Sequence, residues 1–225
     1  MSVILSVFRK SALAGSGVLL AGGLAACGAS GPPDLAPPPP MPLPGPMLRA
    51  QTFGSMCPEI ASGAKAGGLD SLSTQPAGEA ALSSPFTQHF AVALQAANIR
   101  DEINRMPAIT VFAPYDSAFD RFEHDLGHQR YQALMKDPAA LATLLRGHVL
   151  DHRLDRNALM ATGTVHPLSG GDLRIVDAGQ TIKIVDEKGG SAYVLCGNIQ
   201  TANANVYLID HVLPGATTET PAGPA

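Results

Sequence analysis

The sequence has no tryptophan, and aromatic residues make up only 5% of its 225 positions. This scarcity predicts no stacking platform for nucleic-acid bases or sugars. Lysine and arginine number 15 against 19 aspartate and glutamate residues, so the chain lacks the positive charge typical of nucleic-acid binding. Sequence motifs of serine hydrolases, phosphate-binding loops and dinucleotide-binding folds are also missing. We therefore expect neither a nucleic-acid partner nor a cofactor nor catalysis.

The N-terminus has the three parts of an export signal. Arg9 and Lys10 supply positive charge, and an apolar, glycine-rich stretch too short to span a bilayer follows. Small residues then precede a lone cysteine in "LAAC", which resembles a bacterial lipobox and predicts removal of residues 1–26 and acylation of Cys27. The alternative is an ordinary cysteine after a standard cleavage site. Acylation would make the chain a membrane-anchored lipoprotein of the cell envelope, on an outer membrane or cell surface.

Low-complexity sequence follows this cysteine. Nine prolines lie within the sixteen residues after Ser30, which predicts a semi-rigid, polyproline-like spacer of roughly 50 Å within residues 27–50. A ligand for a proline-reading domain is the alternative. We expect residues 51–83 to be a loose arm pinned through Cys57, and residues 216–225 to be a disordered tail.

Two cysteines remain once Cys27 is acylated. Cys57 and Cys196 lie 139 positions apart, and in an exported protein such a pair suggests one disulfide. A redox pair or half of a metal site are the alternatives, although neither cysteine belongs to a C-x-x-C motif.

Hydrophobic periodicity predicts one α+β domain over residues 84–215. The first helix is predicted to begin at Pro85, with Ser84 as its cap. A second helix is predicted to begin at Pro138, with Asp137 as its cap. From His166 onward, apolar residues alternate with a period of two in short runs, which is typical of strands, and turn residues separate these runs. The order predicts helices first, followed by a mostly antiparallel meander.

The stretch "ITVFAPYDSAF" carries the strongest signature. It predicts a central strand ended by proline, followed by a helix with Asp116 as its cap and Phe119 facing inward. This arrangement resembles the first signature block of fasciclin domains, whose matching positions here are Thr110, Phe112, Ala113, Pro114, Asp116 and Phe119. Tyr115 departs from the small polar residue usual in the family.

Two further blocks support the resemblance. "LLRGHVLDHRL" resembles the family's central helix-to-strand block, with His148 at its typical position, and "NVYLIDHVLPG" resembles the closing strand, with Asp210. The chain is also similar to single-domain mycobacterial secreted and cell-surface antigens of this family. That resemblance implies a Cys57–Cys196 disulfide and a fasciclin-like fold, a small antiparallel β-sandwich or wedge flanked by helices.

Metal and acid–base chemistry have little support. His124 and His128, like His148 and His152, are four residues apart, but no zinc motif occurs and we expect His148 to be half-buried and hydrogen-bonded. The candidate carboxylates lie beside turns or caps, where aspartate is common for structural reasons. A cell-envelope enzyme would need two of these carboxylates to converge in one cleft. The acids in question are Asp151, Asp155, Asp172, Asp177 and Asp186.

The resemblance implies a non-enzymatic module for adhesion or extracellular binding. Its expected partners are the membrane, through the lipid, and a surface or matrix protein or glycan, with the chain a monomer. The alternative is a carrier of a small apolar ligand, such as a lipid or pigment. No binding residue can be named, although the polar segment 121–130 is a candidate face or simply a solvated helix.

Overall fold

A computed structural model describes Met47, residues 51–60 and residues 65–214. Four predicted features lie outside the described residues: the signal segment 1–26, the acylation of Cys27, the spacer apart from Met47, and the tail 216–225. All described residues belong to one compact unit. No helix in this part of the chain is both long and apolar enough to cross a membrane.

Eight α-helices and one 3-10 turn, Cys57–Glu59, occur in the described residues. Asp137 caps one helix as predicted, because its carboxylate accepts the Ala139 and Ala140 amides at 3.0 and 3.1 Å while Pro138 occupies the first turn. The helices are α1 Leu69–Ser73, α2 Ala77–Ser83, α3 Gln88–Ala96, α4 Arg100–Arg105, α5 Asp116–Leu126, α6 His128–Met135, α7 Pro138–Arg146 and α8 Arg156–Thr162.

Seven strands form one sheet in the order β2-β1-β7-β6-β5-β4-β3. All neighbours are antiparallel except β1 and β7, which run parallel from Ile109↔Ala204 to Pro114↔Ile209. The α+β class is confirmed, but the sheet is mixed rather than wholly antiparallel. The strands are β1 Ile109–Pro114, β2 Val149–Leu150, β3 Thr164–Val165, β4 Leu173–Ala178, β5 Thr181–Asp186, β6 Ser191–Gln200 and β7 Ala204–Ile209.

Strand β6 joins the two parts of this sheet into a wedge. Its first residues pair with β5, and from Val194 onward it pairs with β7. The register shifts twice, between Val194 and Cys196 and between Cys196 and Ile199. Such bulges bend a strand and re-aim its side chains, so the second shift determines where the side chain of Asn198 lies.

The segment before residue 84 is more ordered than predicted. Leu69 and Leu72 of α1 and Ala80 of α2 are buried in a cluster with Cys196 and Leu208 of the sheet. The prediction of a loose arm is therefore wrong for residues 65–83. The stretch is rich in glycine and serine, whose low helix propensity hid these short helices, and burial of their apolar faces stabilises them.

The first predicted helix begins later than expected. Residues 84–86 are irregular, with the Ser84 hydroxyl accepting the Phe86 amide at 3.3 Å, and α3 starts at Gln88 after Thr87. A local serine cap with a following proline is thus the wrong start signal here. The cap of α3 comes from a residue distant in sequence, described below.

Candidate functional site

The first signature block has a structural role. Every residue of β1 is buried, including Ala113 and Pro114. The Thr110 hydroxyl donates to the His152 carbonyl and accepts from the Leu154 amide, both at 2.8 Å. Thr110 thereby holds the loop before α8 against the sheet, while the Phe112 ring packs against Tyr207 with centroids 5.8 Å apart.

Asp116 caps a helix other than the predicted one. It is the first residue of α5, whose capping position is taken by Tyr115 without a side-chain hydrogen bond. The Asp116 carboxylate instead accepts the His89 amide in the first turn of α3, at 2.8 Å. The prediction that Asp116 caps its own helix is wrong, and the residue links two helices through a tertiary contact. Phe119 of α5 is buried as predicted.

His148 is fully buried rather than half-buried. Its Nδ1 lies 2.9 Å from the Leu144 carbonyl, and its Nε2 accepts the Leu213 amide at 2.9 Å. The ring is therefore neutral, with its proton on Nδ1. Burial lowers the pKa of His148 to about 4, against a smaller opposing effect of the hydrogen bond to Leu144. With both nitrogens occupied, His148 has no free position for a metal or a substrate.

Asp210 extends the pairing of β6 and β7. Its carboxylate accepts the Tyr193 amide at 2.7 Å, and its own amide donates to the Tyr193 carbonyl at 3.1 Å. Arg121 of α5 donates to the Asp210 carbonyl at 3.2 Å. The closing signature is therefore also architectural.

The other histidines and acids do not converge. His124, His128 and His152 each contact a carboxylate one to five positions away in sequence. Asp155 caps α8, and Asp177 and Asp186 accept amides within their own turns. Within the described ranges, no three His, Cys, Asp or Glu side chains are grouped closely enough to hold a metal. Segment 121–130 is two helices broken at Gly127 rather than one.

The Cys57–Cys196 disulfide that the resemblance implies is present, with Cα atoms 4.9 Å apart. Beside it, Phe53 pairs with Gly197 as a short antiparallel bridge, through N–H···O contacts of 3.3 and 2.7 Å. A Cβ at Gly197 would come within 2.4 Å of the Phe53 ring, so glycine allows this close approach. The disulfide and the bridge together hold residues 51–57 along the bulged edge of β6.

This segment forms one wall of a polar cleft of about 690 Å³. The other lining residues belong to the start of α8 and the residues before it, and to β6 and β7. We call it the amide-rich cleft, because five of its ten lining residues are asparagine or glutamine. The lining residues are Gln51, Thr52, Phe53, Arg153, Asp155, Arg156, Asn157, Asn198, Gln200 and Asn205.

Two amide oxygens in this cleft have no hydrogen-bond partner within the described protein. They are Oδ1 of Asn198 and Oδ1 of Asn205, whose residues are only 7% and 4% exposed. Each amide nitrogen is used, since Asn198 donates to the Gln51 carbonyl at 3.2 Å and Asn205 to the Leu154 carbonyl at 3.0 Å. The nitrogen contacts fix the side chains, and both oxygens are enclosed, each with less than 1 Å² of accessible surface.

Two arginines add positive charge to the same cleft. The Arg156 guanidinium lies over the Phe53 ring, 4.3 Å from its centroid, and donates to the Gly179 carbonyl at 3.2 Å. Arg153 donates to the Thr201 carbonyl at 3.0 Å, and burial lowers its pKa. Over the described part of the chain, neither arginine forms a salt bridge. The cleft thus combines two cationic groups, Arg153 and Arg156, with one carboxylate, Asp155, and five amide side chains.

A second cavity lies between helices α1 to α3 and the sheet. Its lining is mainly apolar and includes Ile60, Leu72, Phe90 and Leu208. Its volume is about 40 Å³, far below the roughly 300–1,000 Å³ of small-ligand sites. A lipid or pigment would require α1 and α2 to move away from the sheet.

Sequence reasoning named no residue of the amide-rich cleft as a binding residue, and it named Asp155 only as one of the carboxylates beside turns or caps. One signal was available: "GNIQTANANVY" places four amide side chains within eight positions of a region that pairs as strands, where asparagine is normally depleted. Asn203 is structural, because its side-chain oxygen Oδ1 accepts the Ala77 amide and its side-chain nitrogen Nδ2 donates to the Ile103 carbonyl, both at 2.8 Å. Asn198 and Asn205 are the members of that series with unpaired oxygens.

Comparison with known proteins agrees with this architecture. A family model for the fasciclin domain matches residues 85–214, more than half of the chain. The chain belongs to the fasciclin family. Among curated fasciclin relatives, immunogenic protein MPB70 of Mycobacterium bovis is 27% identical over 175 residues, covering 75% of this chain and 84% of the relative. Cell surface glycolipoprotein MPB83 of the same species is 28% identical over 152 residues, covering 65% of this chain and 64% of the relative.

A solved fasciclin structure shares the fold. It is the FAS1 domain pair of the insect cell adhesion molecule Fasciclin I, matched with a TM-score of 0.57 at 13% identity. The match covers 65% of this chain and spans about half, 53%, of that structure. At this identity the likeness concerns the fold alone.

Proposed function

We propose that this chain is a lipoprotein of the cell envelope whose fasciclin domain binds partners outside the cytoplasm and catalyses no reaction. Acylated Cys27 would anchor it, and the proline-rich spacer would hold the domain off the membrane. Its partners would be a surface or matrix protein or a glycan, not nucleic acid, and the domain would act as a monomer.

The amide-rich cleft is the observation that carries this proposal. It is a concave, polar surface of ligand-site volume, lined by amides and arginines. Among the described histidines and carboxylates, Asp155 alone lines the cleft, and its carboxylate is engaged as the cap of α8. Recognition therefore has more support than acid–base chemistry.

The names of the matched proteins support the location. One relative is a cell surface glycolipoprotein, and the solved structure comes from a cell adhesion molecule. The lipobox-like "LAAC" before residue 28 offers this chain an equivalent means of surface attachment. The apolar-carrier alternative has less support, because the apolar cavity holds only about 40 Å³.

The proposal is tested in the chain's own host, with the full-length wild type, a Cys27→Ser variant and a chain lacking residues 51–215. We expect the deletion to lower the number of cells retained on a matrix-coated surface. We expect Cys27→Ser to release the protein from the membrane fraction and to lower retention equally.

Immunoblots of the membrane fraction serve as the control for expression. Unchanged retention after the deletion, with wild-type protein present at the surface, would rule out an adhesive role. Membrane association of a Cys27→Ser chain from which residues 1–26 have been removed would rule out the anchor.

A further inference from the structure

Strands β4, β5 and β6 leave one side of the sheet open to solvent. Their inward side chains, such as Ile175 and Ile182, are buried in the core. Because side chains alternate along a strand, the residues between them lie on the opposite side. Two of the four exposed large hydrophobic side chains of the described residues are there, Val176 at 38% and Tyr193 at 43%. We call the outward-pointing residues of these strands, from Arg174 to Tyr193, the outer sheet face.

The strand register places an aliphatic, a cationic and an aromatic side chain in one row on this face. Val176 lies opposite Lys183, and Lys183 lies opposite Tyr193. The Lys183 ammonium is 5.5 Å from the centre of the Tyr193 ring. Arg174 lies opposite Val185 and is therefore a diagonal neighbour of Lys183. An antiparallel sheet usually presents polar side chains to solvent, whereas this one presents two valines and a tyrosine beside two cations.

The carboxylates of these three strands, which the structure describes in full, lie away from the outer sheet face. Asp177 points to the inner side, and Asp186 is buried. On the rim, the Asp210 carboxylate accepts a backbone amide of β6, and Glu187 in the turn after β5 is followed by Lys188. The outer sheet face is therefore positively charged, although the chain as a whole has a formal net charge of −4.

We propose that the outer sheet face docks on the surface of an anionic lipid bilayer. The Tyr193 side chain suits that boundary, because its ring is apolar and its hydroxyl is polar. Lys183 and Arg174 can lay their aliphatic stems along the valines while their charged groups meet lipid phosphates. A soluble anion would engage the cations but not the valines, whereas a bilayer surface offers phosphates and an apolar layer together.

The inference rests on the anchor of the proposed function, because the contact is modest. Each cation strengthens binding to an anionic bilayer by about fivefold, so Arg174 and Lys183 together contribute roughly 25-fold. A lipid on Cys27 would add to this by raising the effective concentration of the domain at the membrane to about the millimolar range. The predicted spacer of roughly 50 Å sets the greatest distance between domain and bilayer, and it leaves the domain free to return to the surface.

The test uses a tryptophan as a reporter, because the chain contains none. Tyr193→Trp is introduced into the chain that begins at Cys27, and Cys27, which lies outside the disulfide, is coupled to a maleimide lipid in vesicles. The vesicles consist of phosphatidylcholine brominated on its acyl chains, with or without about 30% phosphatidylglycerol. On the anionic vesicles we expect emission to shift to the blue and bromine to quench it at least about twofold, with less quenching when salt is added.

Matched variants locate the contact. Val92→Trp is the control for the reporter, because Val92 is 55% exposed on α3, outside the outer sheet face, and its emission should stay unchanged. Adding Lys183→Gln to Tyr193→Trp should weaken the bilayer contact about fivefold. Arg130→Gln on α6 removes the same charge elsewhere and should leave the contact intact. Urea denaturation verifies that each variant folds.

Three results would overturn the inference. They are equal quenching of Tyr193→Trp and Val92→Trp, quenching that Lys183→Gln leaves intact, and a Tyr193→Trp emission that is already shielded from water before vesicles are added. The last would assign the outer sheet face to another segment of this chain.

Chemical coupling supplies the tether, so these results do not depend on acylation in the host. If docking fails while Cys27 is acylated in the host, the proposed function stands and only the bilayer contact is excluded. If the coupled protein docks but Cys27 is unmodified in the host, the face binds bilayers and the proposed anchor fails.

Discussion

At the scale of single residues, hydrogen bonds fix the positions of several polar side chains in the signature blocks. The loss of such a side chain should lower the free energy of unfolding measurably. Thr110 holds the loop before α8, Asp116 links α3 to α5, and His148 joins α7 to Leu213, four positions beyond the end of β7. Each is placed by contacts distant in sequence. Substitution of Asp116 or His148 should therefore lower stability without altering the amide-rich cleft, whereas substitution of Thr110 should also release the loop that carries Arg153.

His148 should make stability depend on pH. Its pKa of about 4 in the folded state lies below the unfolded value near 6.5, so the unfolded chain binds the proton more readily. The free energy of unfolding should therefore fall as pH drops through this window, by about 2 kcal/mol from pH 7 to pH 5 and about 3 kcal/mol in all.

Urea denaturation at a series of pH values measures this dependence, and NMR titration of the ring assigns it to His148. The window down to pH 5 lies largely above the titration of ordinary carboxylates. A free energy of unfolding that stays level from pH 7 to pH 5 would show that the ring is not buried as described.

The cap supplied by Asp116 gives a second residue-level prediction. Asp116→Ala should cost about 1 kcal/mol of unfolding free energy, because the His89 amide loses its acceptor. Asp116→Asn keeps an oxygen acceptor and should cost less. Equilibrium unfolding in urea compares the two, and equal stability of Asp116→Ala and the wild type would exclude the cap.

At the scale of elements, the short helices before residue 84 are part of the core. Leu72→Ala should cost about 2–4 kcal/mol, since Leu72 of α1 is buried against the sheet. Val92→Ala on α3 is the matched control, because Val92 is 55% exposed and its truncation should change stability by less than about 0.5 kcal/mol. Urea denaturation of both variants decides the point, and equal effects would mean that α1 is loosely attached.

The disulfide attaches the segment in front of these helices. Its two cysteines are separated by 139 positions, and closing so long a loop contributes up to roughly 5 kcal/mol in the chain-entropy model. Reduction, or the Cys57→Ser and Cys196→Ser double variant, should therefore lower the melting temperature measured by calorimetry. An unchanged melting temperature would mean that the bond adds nothing to stability.

Predictability from sequence differs between these elements. The strands after His166 and the α7 cap were predictable because alternation and capping are local patterns. Helices α1 and α2 were not, since a glycine- and serine-rich segment becomes helical here through burial against β6 and β7. The α3 start was missed because its cap, Asp116, lies 27 positions beyond the capped amide.

The amide-rich cleft was unpredictable for a related reason. Its walls come from three separate segments, around Gln51, Arg153 and Asn198. Only the disulfide, the bulge in β6 and the loop held by Thr110 bring them together. The run of amides from Asn198 to Asn205 indicated unusual strand chemistry, but sequence alone could not show which oxygens lack a partner.

At the scale of the whole molecule, the proposed function is that of an anchored binding module. The fasciclin fold presents a polar cleft beside a disulfide-attached segment, and its apolar cavity is too small for a lipid. The predicted lipid on Cys27 and the proline-rich spacer would place this module outside the cytoplasm. The proposed function therefore depends on two properties, a lipid anchor and the absence of an apolar cargo.

Native and denaturing mass spectra of the protein extracted from its own host test both properties together. We expect a covalent lipid on a chain that begins at Cys27, a mass two hydrogens below that of the reduced protein, and no apolar molecule released on denaturation. A bound apolar mass that dissociates on denaturation would instead identify a carrier, and an unmodified Cys27 would contradict the anchor.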